Sequence, residues 1–238
     1  MVAIKLLGIS ATPIKGGNCD ALVQEALKTA QGLGDVDTEF VTLADKEVAM
    51  CRHCQWCIQN RAPCKIEDDY HSIVNQILGS DGLILGAPTW SMTLSPPLLN
   101  LWSRFRYFNF FTADLRNKVV GALTLGWFGF GMDKALDVIE TLAGISMMLP
   151  VARAGAVVST AAFGQRAAYM EHGVLDDTLG MARVRAVAER VVEVARMIKY
   201  AKEAGIMPPP DQLVTLTGAH LKPAGKKVFI DGVWRDKE

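Results

Sequence analysis

Cys51, Cys54, Cys57 and Cys64, four of the five cysteines in this 238-residue chain, are separated by two, two and six residues. Each two-residue gap lets the backbone fold around a centre, so four thiolates on this tether can turn toward one point, as in polynuclear iron–sulfur centres. Ordinary zinc sites place a long spacer between two Cys-x-x-Cys halves, and none is present. Structural zinc, a disulfide pair and free thiols are the competing readings. Within the motif, His53 reads as a solvated loop residue when four thiolates already suffice, and Trp56 as a packing residue.

Three loops carry the remaining chemistry. Ser10, Thr12, Pro13, Lys15, Gly17, Asn18 and Cys19 supply hydroxyls, a cation and flexible backbone just before a helical pattern. Such a junction points backbone N–H groups and the positive helix end at one place, which suits a phosphate, although a loop that simply caps the helix has the same composition. No Gly-Lys-Thr or Gly-Lys-Ser triplet closes it and no Gly-x-Gly-x-x-Gly follows, which disfavours nucleoside triphosphate and dinucleotide sites. The second loop runs from Pro88 through Thr89, Trp90, Ser91, Met92 and Thr93 to Pro97. The third holds Gly126, Trp127, Phe128, Gly129, Phe130 and Gly131, where glycine lets backbone approach something flat or simply pack tightly.

Apolar runs at Ile4–Ile9, Asp37–Leu43, Gly82–Ala87, Lys118–Leu125 and Val151–Val158 read as strands. Between them, helical spacing covers Ala21–Ala30, Tyr70–Leu78, Leu98–Phe105, Met132–Met147 and Leu179–Ala204. Strands alternating with helices predict an α/β fold with a doubly wound, five-stranded parallel sheet, and the cysteine-rich loop (49–68) follows strand two. Ligands of such sheets sit past the carboxyl ends of the strands, the edge to which all three loops belong. A phosphate loop together with Trp90, Trp127 and Phe128 would enclose a flat ring carrying one phosphate, which describes FMN. The dense aromatic stretch 105–111 reads first as core.

At this point the sequence resembles the flavodoxin-like NADPH-dependent FMN reductase superfamily, and more closely its iron–sulfur flavoprotein branch, over residues 1 to about 200. The resemblance rests on the Ser10–Cys19 loop with Gly17-Asn18, the compact cysteine motif followed by Asp68-Asp69, the loop Gly86-Ala87-Pro88-Thr89-Trp90, and the turn Gly129-Phe130-Gly131-Met132-Asp133. It implies phosphate ligands among Ser10, Thr12, Lys15, Gly17, Asn18 and Cys19. It also implies an isoalloxazine lined by residues 88–93 and closed on its other side by 126–131. Cys19 departs from the Thr or Ser of the family, and a thiol is a poor donor to phosphate. The function implied is electron transfer between FMN and a [4Fe–4S] cluster on Cys51, Cys54, Cys57 and Cys64, with no acid–base side chain required. The donor is a ferredoxin-like protein or NAD(P)H, and the acceptor oxygen, peroxide, a quinone or a redox protein. A flavin or quinone reductase without a cluster, and a zinc-stabilised binding module, are the alternatives.

Lys plus Arg equals Asp plus Glu, 25 each, which gives no electrostatic footprint for nucleic acid. Half of the residues are hydrophobic, enough for a substantial core. The apolar run Val119–Met132 is interrupted by glycines and shorter than a membrane span of about 20 residues. With no secretory pattern at Met1–Ser10, a cytoplasmic, membrane-free protein is expected. Residues 1–205 form the FMN-binding domain in this reading. Residues 206–238, with the hairpin signal Asp231-Gly232, form an arm that packs on the body or on a neighbouring subunit of a homodimer or homotetramer.

Overall fold

The protein is described by a computed structural model over residues 2–158, 173–207, 226–230 and 233–236. In chain order it contains β1 (Ile4–Ser10), α1 (Asn18–Gly32), β2 (Val36–Thr42), α2 (Trp56–Asn60), α3 (Tyr70–Gly79), β3 (Gly82–Trp90), β4 (Thr93–Leu94) and α4 (Pro96–Trp102). These are followed by α5 (Arg106–Phe111), β5 (Val119–Gly126), α6 (Met132–Ile145), β6 (Leu149–Val157), α7 (Thr178–Glu203), β7 (Lys227–Ile230) and β8 (Val233–Asp236).

The main sheet has the order β2-β1-β3-β5-β6, and all these neighbours are parallel. This is the flavodoxin-like order, and the direction in which successive strands are added reverses between β1 and β3. Every residue of β5 is buried, as expected of a strand covered on both faces. On one face α1 and α7 pack Leu22, Val23, Ala26, Val184, Val187 and Val191 against the sheet. On the other, α3 to α6 contribute Tyr70, Ile73, Leu101, Phe105, Leu136 and Ile139. A Cβ on Gly121 would stand 2.7 Å from the side chains of Val187 and Val191, so the closeness of α7 to the sheet depends on that glycine.

The sheet departs from the sequence expectation at the end of β3, which continues through Pro88 to Trp90 and folds back as β4. Pairing with β1 stops at Gly86, and beyond it that edge of β3 is taken by its own return strand, the Ser95 N–H donating to the Pro88 carbonyl at 3.1 Å, so the missing N–H of proline breaks no bond to β1. The reversal uses Ser91 and Met92, both left-handed (φ 48° and 65°), where hairpins normally place Asn-Gly. The second loop is therefore largely a short hairpin.

Phe105 and Phe108 are core residues, while Tyr107, Phe110 and Phe111 are half-buried. The core reading of that stretch holds for its inner face. In the tail, β7 and β8 pair antiparallel with Ile230 opposite Val233. Asp231, Gly232 and the Pro208–Pro210 brake lie outside the described residues. No helix among the described residues is long and apolar enough to cross a membrane.

Candidate cofactor sites

The loop after β1 is braced at both ends. The Ala11 N–H donates to the Gly86 carbonyl (2.7 Å) and the Ser95 hydroxyl to the Ala11 carbonyl (2.8 Å). Thr12 is buried, and its hydroxyl accepts from the Ile14 N–H at 3.1 Å, fixing the turn at Pro13. Helix α1 then starts after Gly17 with no side-chain cap. The Ser10 hydroxyl is fully buried, and apart from the neighbouring Cys19 thiol, a weak partner, it meets no hydrogen-bonding group among the described residues. A buried unsatisfied hydroxyl costs about 1–3 kcal/mol, and an uncapped helix N-terminus offers N–H donors. A phosphate oxygen would satisfy both, so the residues fit the phosphate end of FMN.

Other members of the predicted set are engaged elsewhere. Lys15 pairs with Asp45 at 2.8 Å, and the hydrogen bond to that carboxylate raises its pKa. Asn18 accepts from the Val174 N–H at 2.9 Å. The Cys19 side chain is 3 % exposed within the α1 core stripe, and burial pushes its thiol up to about 12. It is therefore a neutral core side chain, and its backbone N–H is what it can offer a phosphate. Asp20, absent from the sequence reading, accepts from the Gly16 N–H at 2.7 Å and so takes one donor of the loop.

The two loops assigned to the ring touch one another. A Cβ on Gly131 would lie 2.6 Å from the Met92 backbone, and one on Gly126 would lie 2.8 Å from the Thr89 hydroxyl. The two segments therefore meet and form a continuous wall at this edge of the sheet. Trp90, Met92, Trp127 and Phe130 on this wall are exposed, and Trp127 stacks at 4.8 Å on Phe128. Large exposed apolar groups gathered at one sheet edge suit an apolar ring or a neighbouring chain.

The cysteine loop enters after a short helical turn, Leu43–Asp45, so the Lys15–Asp45 pair ties it to the phosphate loop. Cys51, Cys54, Cys57 and Cys64 are all free thiols, half-buried, and line one small pocket with Arg52, Lys65, Arg104 and Arg106. Burial raises the Cys57 pKa, opposed by the Arg106 charge, and the other three thiols raise it further. The four sulfurs do not form a preassembled cage: among the described residues no three His, Cys, Asp or Glu side chains stand close enough to hold a metal ion. Four thiols lining one pocket are a donor set that a polynuclear centre, in which each iron takes its own thiolate, could use.

The wall of this pocket contains a residue that the sequence reading missed. Arg104 is 1 % exposed, and its Nε–H donates to the Cys64 sulfur at 3.3 Å. Its other nitrogens donate to Asp68 (2.5 Å) and to the Ile66 carbonyl (2.8 Å), and its plane lies 4.1 Å from the Tyr70 ring centroid. Asp68 also accepts from the N–H groups of Ala49 and Tyr70, which closes the two ends of the cysteine loop. Burial works against the Asp68 charge, but Arg104 and the two N–H groups hold its pKa below the usual carboxylate value. The Cys51 N–H donates to Ser103 at 3.1 Å, and Arg106 to Gln55 at 3.1 Å. A lone cation on the apolar face Leu101-Arg104-Phe105-Phe108 was the available sequence signal. Left-handed backbone marks these segments too: His53, Gln55, Arg61, Ser91, Met92 and Phe128 are non-glycine residues with positive φ. Such conformations cost about 1–3 kcal/mol each and gather at functional sites.

A flavodoxin-like sheet with a phosphate-type loop and an apolar wall at its carboxyl edge defines a flavin-binding class of protein. Residues 4–189 match the NADPH-dependent FMN reductase family, and the chain belongs to it as an FMN-dependent oxidoreductase. It is 33% identical over 198 residues to an iron-sulfur flavoprotein of Methanocaldococcus jannaschii, covering 82% of this chain and 100% of that one, which places it in the iron–sulfur flavoprotein branch. The solved structure of RosB with its bound intermediate, 8-demethyl-8-formylriboflavin-5'-phosphate, superposes with a TM-score of 0.64 at 18% identity, covering 99% and 100% of the two chains. A WrbA-like flavodoxin from Agrobacterium tumefaciens superposes with a TM-score of 0.54 at 14% identity, over 82% and 99%. Both structures share the fold.

Proposed function

We propose that this flavoprotein couples FMN to a [4Fe–4S] cluster held by Cys51, Cys54, Cys57 and Cys64. The observation that carries the reading is the set of four free thiols lining one pocket, with the Arg104 N–H already on the Cys64 sulfur. The name of the Methanocaldococcus relative supports it. When bound, FMN would exchange one or two electrons and the cluster one, so the pair would join donors and acceptors of different electron count.

Ser10 and the first turn of α1 would hold the phosphate, and the wall from Pro88 to Thr93 and Gly126 to Gly131 would seat the ring. The Lys15–Asp45 pair would hold the two cofactor segments in register. Electrons would come from a ferredoxin-like protein or NAD(P)H and pass to oxygen, peroxide, a quinone or a redox protein. The exposed Trp90, Met92, Trp127 and Phe130 support assembly as a homodimer or homotetramer, in which a neighbouring subunit covers the flavin edge.

Anaerobic purification tests the reading. About four irons and four acid-labile sulfides per chain, with FMN and broad brown absorbance, are expected. A flavin-only spectrum from anaerobically prepared protein refutes the cluster and leaves an NAD(P)H-dependent flavin or quinone reductase. Zinc at the thiols would refute it as well.

A further inference from the structure

We propose that Arg104 sets the reduction potential of the cluster, holding a fixed cation and one N–H on the Cys64 sulfur; this rests on the cluster reading above. One-electron reduction by an external donor adds one negative charge to the thiolate-bound centre and breaks no bond in the protein. A buried cation and a hydrogen bond to a ligand sulfur both stabilise the more negative state, so they raise the potential.

The geometry separates Arg104 from the other cations of the pocket. Arg52 and Lys65 are exposed and Arg106 is half-exposed, so water and salt screen them. Arg104 is sealed in, and Asp68, Ile66 and the Tyr70 ring fix three sides of its guanidinium, while the Tyr70 hydroxyl donates to the Arg104 carbonyl at 2.9 Å. These contacts would suffice for a purely structural arginine. The Nε–H on Cys64 is not needed for them, and it is the one contact that reaches a proposed cluster ligand. Lysine has no rigid fork that could serve carboxylate, carbonyl and sulfur together. Asp68 is a counter-charge that moderates the effect.

The experiment is an anaerobic potentiometric titration of the holoprotein with dithionite, followed by the electron paramagnetic resonance signal of the reduced cluster. In Arg104→Gln the equilibrium constant for reduction is expected to fall at least tenfold, a midpoint lower by about 59 mV for one electron, with the flavin spectrum unchanged. Arg106→Gln is expected to change it less than threefold. Asp68→Asn, which keeps the arginine and removes its counter-charge, is expected to shift the midpoint upward. A fully loaded Arg104→Gln protein with the wild-type midpoint overturns the proposal. If Arg104→Gln does not retain its cluster, the Asp68→Asn shift decides, and an unchanged or lower midpoint overturns it. Wild-type protein without iron and sulfide would overturn the cluster reading itself, a failure distinct from a loaded protein indifferent to Arg104.

Discussion

Lys118 immediately precedes β5, at the end of the sheet away from the cofactor loops, and is 6 % exposed. Its ammonium donates to the Leu78 carbonyl at 2.8 Å and the Ser80 carbonyl at 2.6 Å, closing the C-terminal end of α3. Burial, helped by Lys202 and opposed by Asp81 and Asp114, lowers its pKa from 10.5 to about 8. Between those two values the unfolded chain binds the proton and the folded chain releases it, so this residue makes stability rise with pH across that window. The full span corresponds to about 3 kcal/mol, from 1.36 kcal/mol per pKa unit. Lys118→Met removes the titration and leaves two carbonyls short of a donor, a cost that does not depend on pH. Urea unfolding of both proteins at intervals from pH 7.5 to 10.5 isolates the effect, because cysteine and tyrosine titrations elsewhere cancel in the difference. The wild-type advantage should be smallest near pH 7.5 and grow by about 3 kcal/mol toward pH 10.5. A difference that stays flat would refute the argument that burial holds this amine near neutrality.

Three further outcomes are expected. Ser10→Ala removes the buried hydroxyl and should weaken FMN binding by roughly tenfold, about 1.4 kcal/mol, in a fluorescence titration of the apoprotein; an unchanged Kd would remove Ser10 from the phosphate site. Gly131→Ala places a methyl against the Met92 backbone at a residue with φ +75°, so it should displace the wall and lower flavin affinity more than Ser10→Ala does, read in the same titration. Asp177 caps α7 by accepting from the Gly180 N–H and also accepts from the Val157 N–H of β6; Asp177→Ala should destabilise the protein by about 2 kcal/mol in urea unfolding.

The periodic elements were legible because burial on two faces imposes a simple pattern: the continuous apolar runs of β3 and β5 and the stripe on α1 are direct consequences of a covered sheet. The same stripe, Cys19-Leu22-Val23-Ala26-Leu27-Ala30, also reveals Cys19 as a core residue, a periodicity that its position beside the phosphate loop concealed. Pro88 hid the end of β3, since a proline reads as a strand stop until it is known that pairing with β1 ends at Gly86. The four cysteines announced themselves by spacing. Asp68 was visible only as part of that motif, and its pairing with Arg104 was not, because 36 residues separate them and the pair exists only once the start of α3 and the end of α4 meet on one face of the sheet. Lys118 was hidden in the same way, its partners belonging to a different element from its own.

The contact between Gly131 and the Met92 backbone has a bearing on engineering. Two segments that meet backbone to backbone have no side-chain cushion to absorb a change in either. A change in the hairpin after β3 is thus expected to require a matching change in the loop after β5. Grafting one of them from a relative should fail where grafting both succeeds, and changing the specificity of this edge of the molecule means moving the two loops together.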